Sequence, residues 1–83
     1  MTNIYDDRAK NDLLRIGINI SVLRKERRLS QEALAERAGL STVEIGLIES
    51  TNTENNSSME VIYNVAQALD VAPEELFKGT SAM

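Results

Sequence analysis

Ser30-Gln31-Glu32-Ala33-Leu34-Ala35-Glu36-Arg37-Ala38-Gly39-Leu40-Ser41-Thr42-Val43-Glu44-Ile45-Gly46-Leu47-Ile48-Glu49 is the stretch that decides the fold. Ser30 reads as an N-cap, its hydroxyl placed to accept from an orphan backbone N–H of a helix over about Gln31 to Ala38. Leu34, Ala35 and Ala38 form the buried stripe of that helix, and Gly39 stands where a left-handed residue closes it. A helix of about two turns does not stand alone in water, so it must pack on its neighbours. Ser41-Thr42-Val43-Glu44 opens a second helix at once as a capping box, with Ser41 capping forward and Glu44 reaching back. Ile45 and Ile48 are its inward positions, and Leu40 in the turn is expected to be buried.

Outward from that stretch the periodicity stays helical. Leu13, Ile16, Ile20 and Leu23 share one face of a helix over about Arg8 to Arg28, with Asn19, Lys25 and Glu26 off that face. A polar segment, Ser50 to Asn56, separates Glu49 from a second capping box, Ser57 with Glu60. That box opens a helix to about Leu69, with Met59, Ile62, Ala66 and Leu69 on one face. Pro73 suits the first position of a short last helix to about Lys78, in which Leu76 and Phe77 seek burial. Strand-type alternation never persists. The expectation is an all-α, five-helix domain over residues 11–78, with a polar N-terminal tail over 1–10 and a loose tail over 79–83. Two short helices joined by a tight glycine-containing turn make a helix-turn-helix.

Eighty-three residues fit one domain with a thin stability margin. The chain has no cysteine and no histidine. A disulfide framework and a thiolate metal site are excluded, and the commonest general base and metal ligand is missing. No catalytic residues, no metal and no cofactor are expected, and the chain is not read as an enzyme. No apolar run approaches the roughly 20 residues of a membrane helix. The polar N-terminus, with Asp6 and Asp7, is unlike a signal peptide. The expectation is a soluble cytoplasmic protein with no membrane partner.

Leu23-Arg24-Lys25-Glu26-Arg27-Arg28-Leu29-Ser30-Gln31-Glu32-Ala33-Leu34-Ala35 resembles the opening of the phage-repressor-like (XRE, lambda-repressor/Cro-like) helix-turn-helix family. So do Ala38-Gly39-Leu40-Ser41, Ile45, Ile48-Glu49 and the closing string from Val65 to Phe77. The match runs from about Ile16 to Phe77, and the combined spacing is far more specific than any one piece. The resemblance implies a lambda-repressor-like bundle of five helices whose second and third form the DNA-reading unit, the third entering the major groove. It implies a transcriptional regulator, often a homodimer on a palindromic operator. It also implies an Arg24–Glu49 pair tying the first helix to the end of the third, and a phosphate contact at Gln31.

On this reading Ser41, Thr42, Val43, Glu44 and Leu47 form the leading face of the reading helix. Thr42 offers a methyl or a hydroxyl, Val43 and Leu47 offer apolar contacts, and Glu44 offers an acceptor for cytosine N4. Family members often carry a basic residue after the cap and again later in this helix. This chain has Thr42, Gly46 and Leu47, and residues 41–51 hold no basic side chain. Phosphate contacts are therefore expected from Arg27, Arg28, Asn52 and Thr53. The net charge is −4, but residues 1–37 hold eight basic and six acidic groups, and residues 38–83 one basic and seven acidic. The apolar Val61, Tyr63, Val65 and Phe77 exceed the needs of a minimal core and are the expected dimer interface. Double-stranded DNA and a second copy are the expected partners. The acidic second half with Gly46 and Leu47 motivates an alternative: a protein-interaction module of the same fold that has lost DNA reading.

Overall fold

Four α-helices and a closing 3-10 helix make up the secondary structure of the described residues: α1 Ile4–Glu26, α2 Gln31–Ala38, α3 Thr42–Glu49, α4 Met59–Ala68, then Pro73–Phe77. The computed structural model describes residues 4–50 and 58–80, with side chains from residue 11 onward. The all-α expectation holds, but the fifth helix is a 3-10 segment. Five residues give room for tight closures such as the Glu75 N–H donating to the Ala72 carbonyl at 2.9 Å.

The start of α1 at Ile4 lies inside the segment expected to be a tail. The end of α1 falls two residues short of the expected Arg28. Arg28 adopts a left-handed conformation (φ 56°), and the Leu29 N–H returns to the Arg24 carbonyl at 3.0 Å. The same closure ends α2, at Gly39 (φ 71°) with Leu40 N–H to Ala35 O at 2.9 Å. It ends α4 as well, at Asp70 (φ 57°) with Val71 N–H to Ala66 O at 3.0 Å. A side chain in this region costs about 1–2 kcal/mol, so only Gly39 takes the turn without strain.

One core binds these elements. Ile16 and Ile20 of α1 meet Leu34, Ala35 and Ala38 of α2, Ile45 and Ile48 of α3, and Ile62, Val65, Ala66, Leu69 and Leu76 beyond them. Leu23, Leu29 and Leu40 pack on it while half-buried. Leu13 is also only half-buried. The N-cap of α4 is Ser58, whose Oγ accepts from the Val61 N–H at 3.3 Å. Ser57, the expected cap, lies outside the described residues. Met59, expected to face inward, is the first residue of the helix and is mostly exposed, and Val65 takes an inward place on the buried face.

Two polar or small residues of α1 fix its neighbours. Gly17 is buried where α1 crosses α3, and a methyl there would run into the carbonyl oxygen of Ile48. Asn19 donates through Nδ2 to the carbonyls of Leu76 at 2.9 Å and Lys78 at 2.8 Å, fastening the 3-10 segment to α1. The expected loose tail is ordered at its start. Gly79 turns the chain at φ 81°, and the buried Thr80 donates its hydroxyl to the Phe77 carbonyl at 2.6 Å.

The two helix glycines should respond with opposite signs to the same substitution. Gly17→Ala forces α1 and α3 apart and is expected to lower stability by about 1–3 kcal/mol despite the gain in helix propensity. A methyl at Gly46 meets only the Gln31 side-chain oxygen, at an ordinary 3.9 Å. Gly46→Ala is therefore expected to raise stability by about 0.5–1 kcal/mol. Urea denaturation of both variants checks the pair of signs.

Candidate nucleic-acid interface

The α2–α3 unit is held by a polar knot built from three helices. Glu49, the last residue of α3, receives Arg24 of α1 through two parallel bonds, Nε to Oε2 at 2.7 Å and Nη2 to Oε1 at 2.9 Å. The remaining guanidinium nitrogen, Nη1, donates to the Leu29 carbonyl at 2.8 Å, just before α2 begins. Gln31, the first residue of α2, adds Nε2 to Glu49 Oε1 at 3.2 Å. A carboxylate only accepts, so the amide nitrogen of Gln31 must be the atom facing it. The two charged side chains are 11% and 6% exposed. The hydrogen bond to Glu49, and secondarily its charge, raise the Arg24 pKa above its ordinary value against the opposing cost of burial. The pair expected from the sequence thus forms, and it is a planar fork enclosed from most of the solvent.

Caps define the two helix starts that face outward. Ser30 Oγ accepts from the Ala33 N–H at 3.0 Å. In α3 the capping box is complete: the Glu44 N–H donates to Ser41 Oγ at 3.1 Å and the Ser41 N–H to Glu44 Oε1 at 3.0 Å. One oxygen of Glu44 is therefore committed to the helix end, leaving Oε2 for any base edge. Ser41 likewise serves first as the cap.

The structure brings Thr42, Val43 and Leu47 together on the exposed side of α3, with Ile45 and Ile48 turned inward. Val43 is 70% and Leu47 42% exposed, so neither serves the core. Gly46 lies beside them, close to the Gln31 side chain. Only one of the two amide hydrogens of Gln31 can be spent on Glu49, and the first N–H groups of α2 point out along the helix axis. Arg27 and Arg28 are exposed in the turn that leads into α2. Asn52 and Thr53 lie outside the described residues. Sequence reasoning assigned Gln31 to a phosphate alone and missed its bond to Glu49. It missed Gly17 as well, whose only signal is a glycine inside an otherwise regular apolar helix pattern.

The expected dimer residues do not form one surface. Val65 is fully buried within the monomer and has nothing to offer a partner, which corrects its assignment. The cause is the register of α4, in which Ile62, Val65, Ala66 and Leu69 all turn inward. Val61 and Phe77 are half-buried against the core, and Tyr63 is exposed. Among the described residues no helix is long and apolar enough to cross a membrane.

Two short capped helices, a glycine turn between them and a buried fork fixing their angle define a DNA-binding transcriptional regulator of helix-turn-helix type. The helix-turn-helix family model matches residues 20–76, and the chain belongs to that family. The fold is similar to the crystal structure of the restriction–modification controller protein C.AhdI from Aeromonas hydrophila. The TM-score is 0.74 and the identity 39%, over 81% of this chain and 98% of that one. No match is found among curated protein sequences.

The fork should be more sensitive to geometry than to charge. Arg24→Lys keeps the cation but loses the parallel bonds and the tie to Leu29, and is expected to cost about 1–2 kcal/mol. Glu49→Ala leaves Arg24 without its partner and is expected to cost about 2–4 kcal/mol. Thermal and urea unfolding of the two variants measures both.

Proposed function

We propose that the chain is a sequence-specific transcriptional regulator that binds a palindromic operator as a homodimer, with α3 in the major groove. The observation that carries this reading is the outward face of α3: Thr42, Val43 and Leu47 have no role in the core, yet stand on a helix whose angle the fork fixes. A repressor acting on a restriction–modification or mobile-element operon fits the likeness to a controller protein. The reading places the protein with its operator in the cytoplasm and assigns it no catalytic role.

Base recognition on this surface is chiefly apolar, with the Thr42 hydroxyl and Glu44 Oε2 as its polar groups. Without a cation on α3, bidentate contacts to guanine are missing, and methyl groups remain as the complementary feature of the groove edge. Thr42, Val43 and Leu47 suit the 5-methyl group of thymine. Orientation comes from phosphate contacts at the α2 N-terminus, the spare amide hydrogen of Gln31, and Arg27 and Arg28. Few cations touch phosphate, so affinity leans less on counterion release than is usual. With about four phosphate-bound arginines per dimer, raising salt from 50 to 200 mM costs about 100-fold, against about 10³–10⁵ for 6–10 contacts.

A genome-fragment selection at those two salt concentrations tests the reading, followed by deoxyuridine replacement of thymine in each half-site of the recovered operator. Losing one buried methyl per half-site is worth about 0.8 kcal/mol each, so affinity should fall about tenfold. Absence of any bound fragment at low salt overturns the DNA reading. Were a protein partner then captured in a Leu47-dependent way, the exposed apolar face of α3 would belong to the alternative, a protein-interaction module.

A further inference from the structure

Glu44 is the charge on α3 that the fork leaves unused. The capping box holds its side chain from both ends: Oε1 accepts from the Ser41 N–H at 3.0 Å, and the Glu44 N–H donates to Ser41 Oγ at 3.1 Å. The carboxylate is exposed, and among the described residues no cation pairs with it. Oε2 is therefore an acceptor kept in place near the leading end of the helix, and a carboxylate has no hydrogen to donate. Leu47 lies three residues further on, along the same side of the helix, with Val43 beside it, and both aliphatic side chains point outward. An acceptor and an apolar patch thus stand side by side on one edge of the outward face.

We infer that this edge reads 5-methylcytosine in the major groove. The inference rests on the DNA reading above and names the base that Glu44 selects. A fixed acceptor needs a donor opposite it, and a carboxylate that finds none beside DNA is penalised both by lost hydration and by the negative field. Cytosine N4 and adenine N6 are the donors of the major groove. Adenine sets its N7 acceptor beside the donor, where it repels the carboxylate. Thymine brings a methyl group toward Leu47 but sets the O4 acceptor against Oε2. Cytosine carries its donor next to C5, and a methyl group on C5 supplies the apolar contact that Leu47 and Val43 otherwise lack there. The 5-methylated base presents a donor and a methyl group on one edge, which is the complement of Glu44 and Leu47. Methyl recognition is thereby divided: next to Glu44 the methyl belongs to cytosine, and next to Thr42, on the other side of Val43, it belongs to thymine.

Fluorescence anisotropy of the full chain on duplexes of the selected operator supplies the test. Each position of the two half-sites is replaced in turn, on either strand, by cytosine, 5-methylcytosine, N4-methylcytosine or thymine with its pairing partner. At one position 5-methylation of cytosine should tighten binding about tenfold over the two half-sites. N4-methylation removes the hydrogen that faces the groove and should weaken binding there. The wild type should favour 5-methylcytosine over thymine at that position, and Glu44→Gln should reverse the order. In that variant the amide oxygen keeps the bond to the Ser41 N–H, while the amide nitrogen replaces Oε2 and donates to thymine O4. Circular dichroism checks that the variant is folded. Leu47→Ala should lose most of the gain from the methyl group and keep the preference for cytosine over thymine. If 5-methylation strengthens binding at no position, or the preference survives Glu44→Gln, this assignment is overturned and the DNA reading stands. No duplex bound at low salt overturns both.

Discussion

A single enclosed fork, Arg24 on Glu49, sets the angle at which the outward helix is presented. Its three bonds from one guanidinium reach the end of α3 and the backbone before α2, and Gln31 closes the ring from the start of α2. Short helices have little intrinsic stability, so the position of α3 is decided by what holds its two ends. One end is the capping box at Ser41 and the other is this fork, with Ile45 and Ile48 anchored in the core between them. The outward face is thereby relieved of structural duty.

Much of this was legible in the sequence because it is local chemistry. Ser30, Gly39 and the Ser41–Glu44 box act over three or four residues, and each does in the structure what its spacing implies. The left-handed closure at Arg28 was not legible, since arginine does not announce a positive φ, and Asp70, a type that visits this region more readily, is only a weak signal on its own. Their need arises from chain direction: the next segment must turn back onto the core, and the closing hydrogen bond repays part of the strain. For the same reason α1 stops short of Arg28.

Longer-range features were hidden for a different reason. Gly17 is required by the backbone of α3, and Asn19 is used by carbonyls 57 and 59 residues away. No local pattern encodes either. Val65 was misplaced because periodicity alone cannot say how wide a buried face is, and α4 is enclosed by α2 on one side and the 3-10 segment on the other. On the outward face, the apolar character of α3 and its lack of cations were visible from composition. The sharing of Gln31 between the fork and the helix start needed coordinates, because it joins two residues 18 apart.

The bonds from Asn19 to Leu76 and Lys78 also set an order of events during synthesis. α1 is synthesised well before part of its covering, Leu69 and Leu76. Helices formed early are fully covered only once this long loop shuts, and closing it costs chain entropy that the late contacts must offset. Chains interrupted before residue 76 lack the latch altogether. A chain cut before Leu76 is thus expected to leave the α2–α3 unit without a closed core behind it.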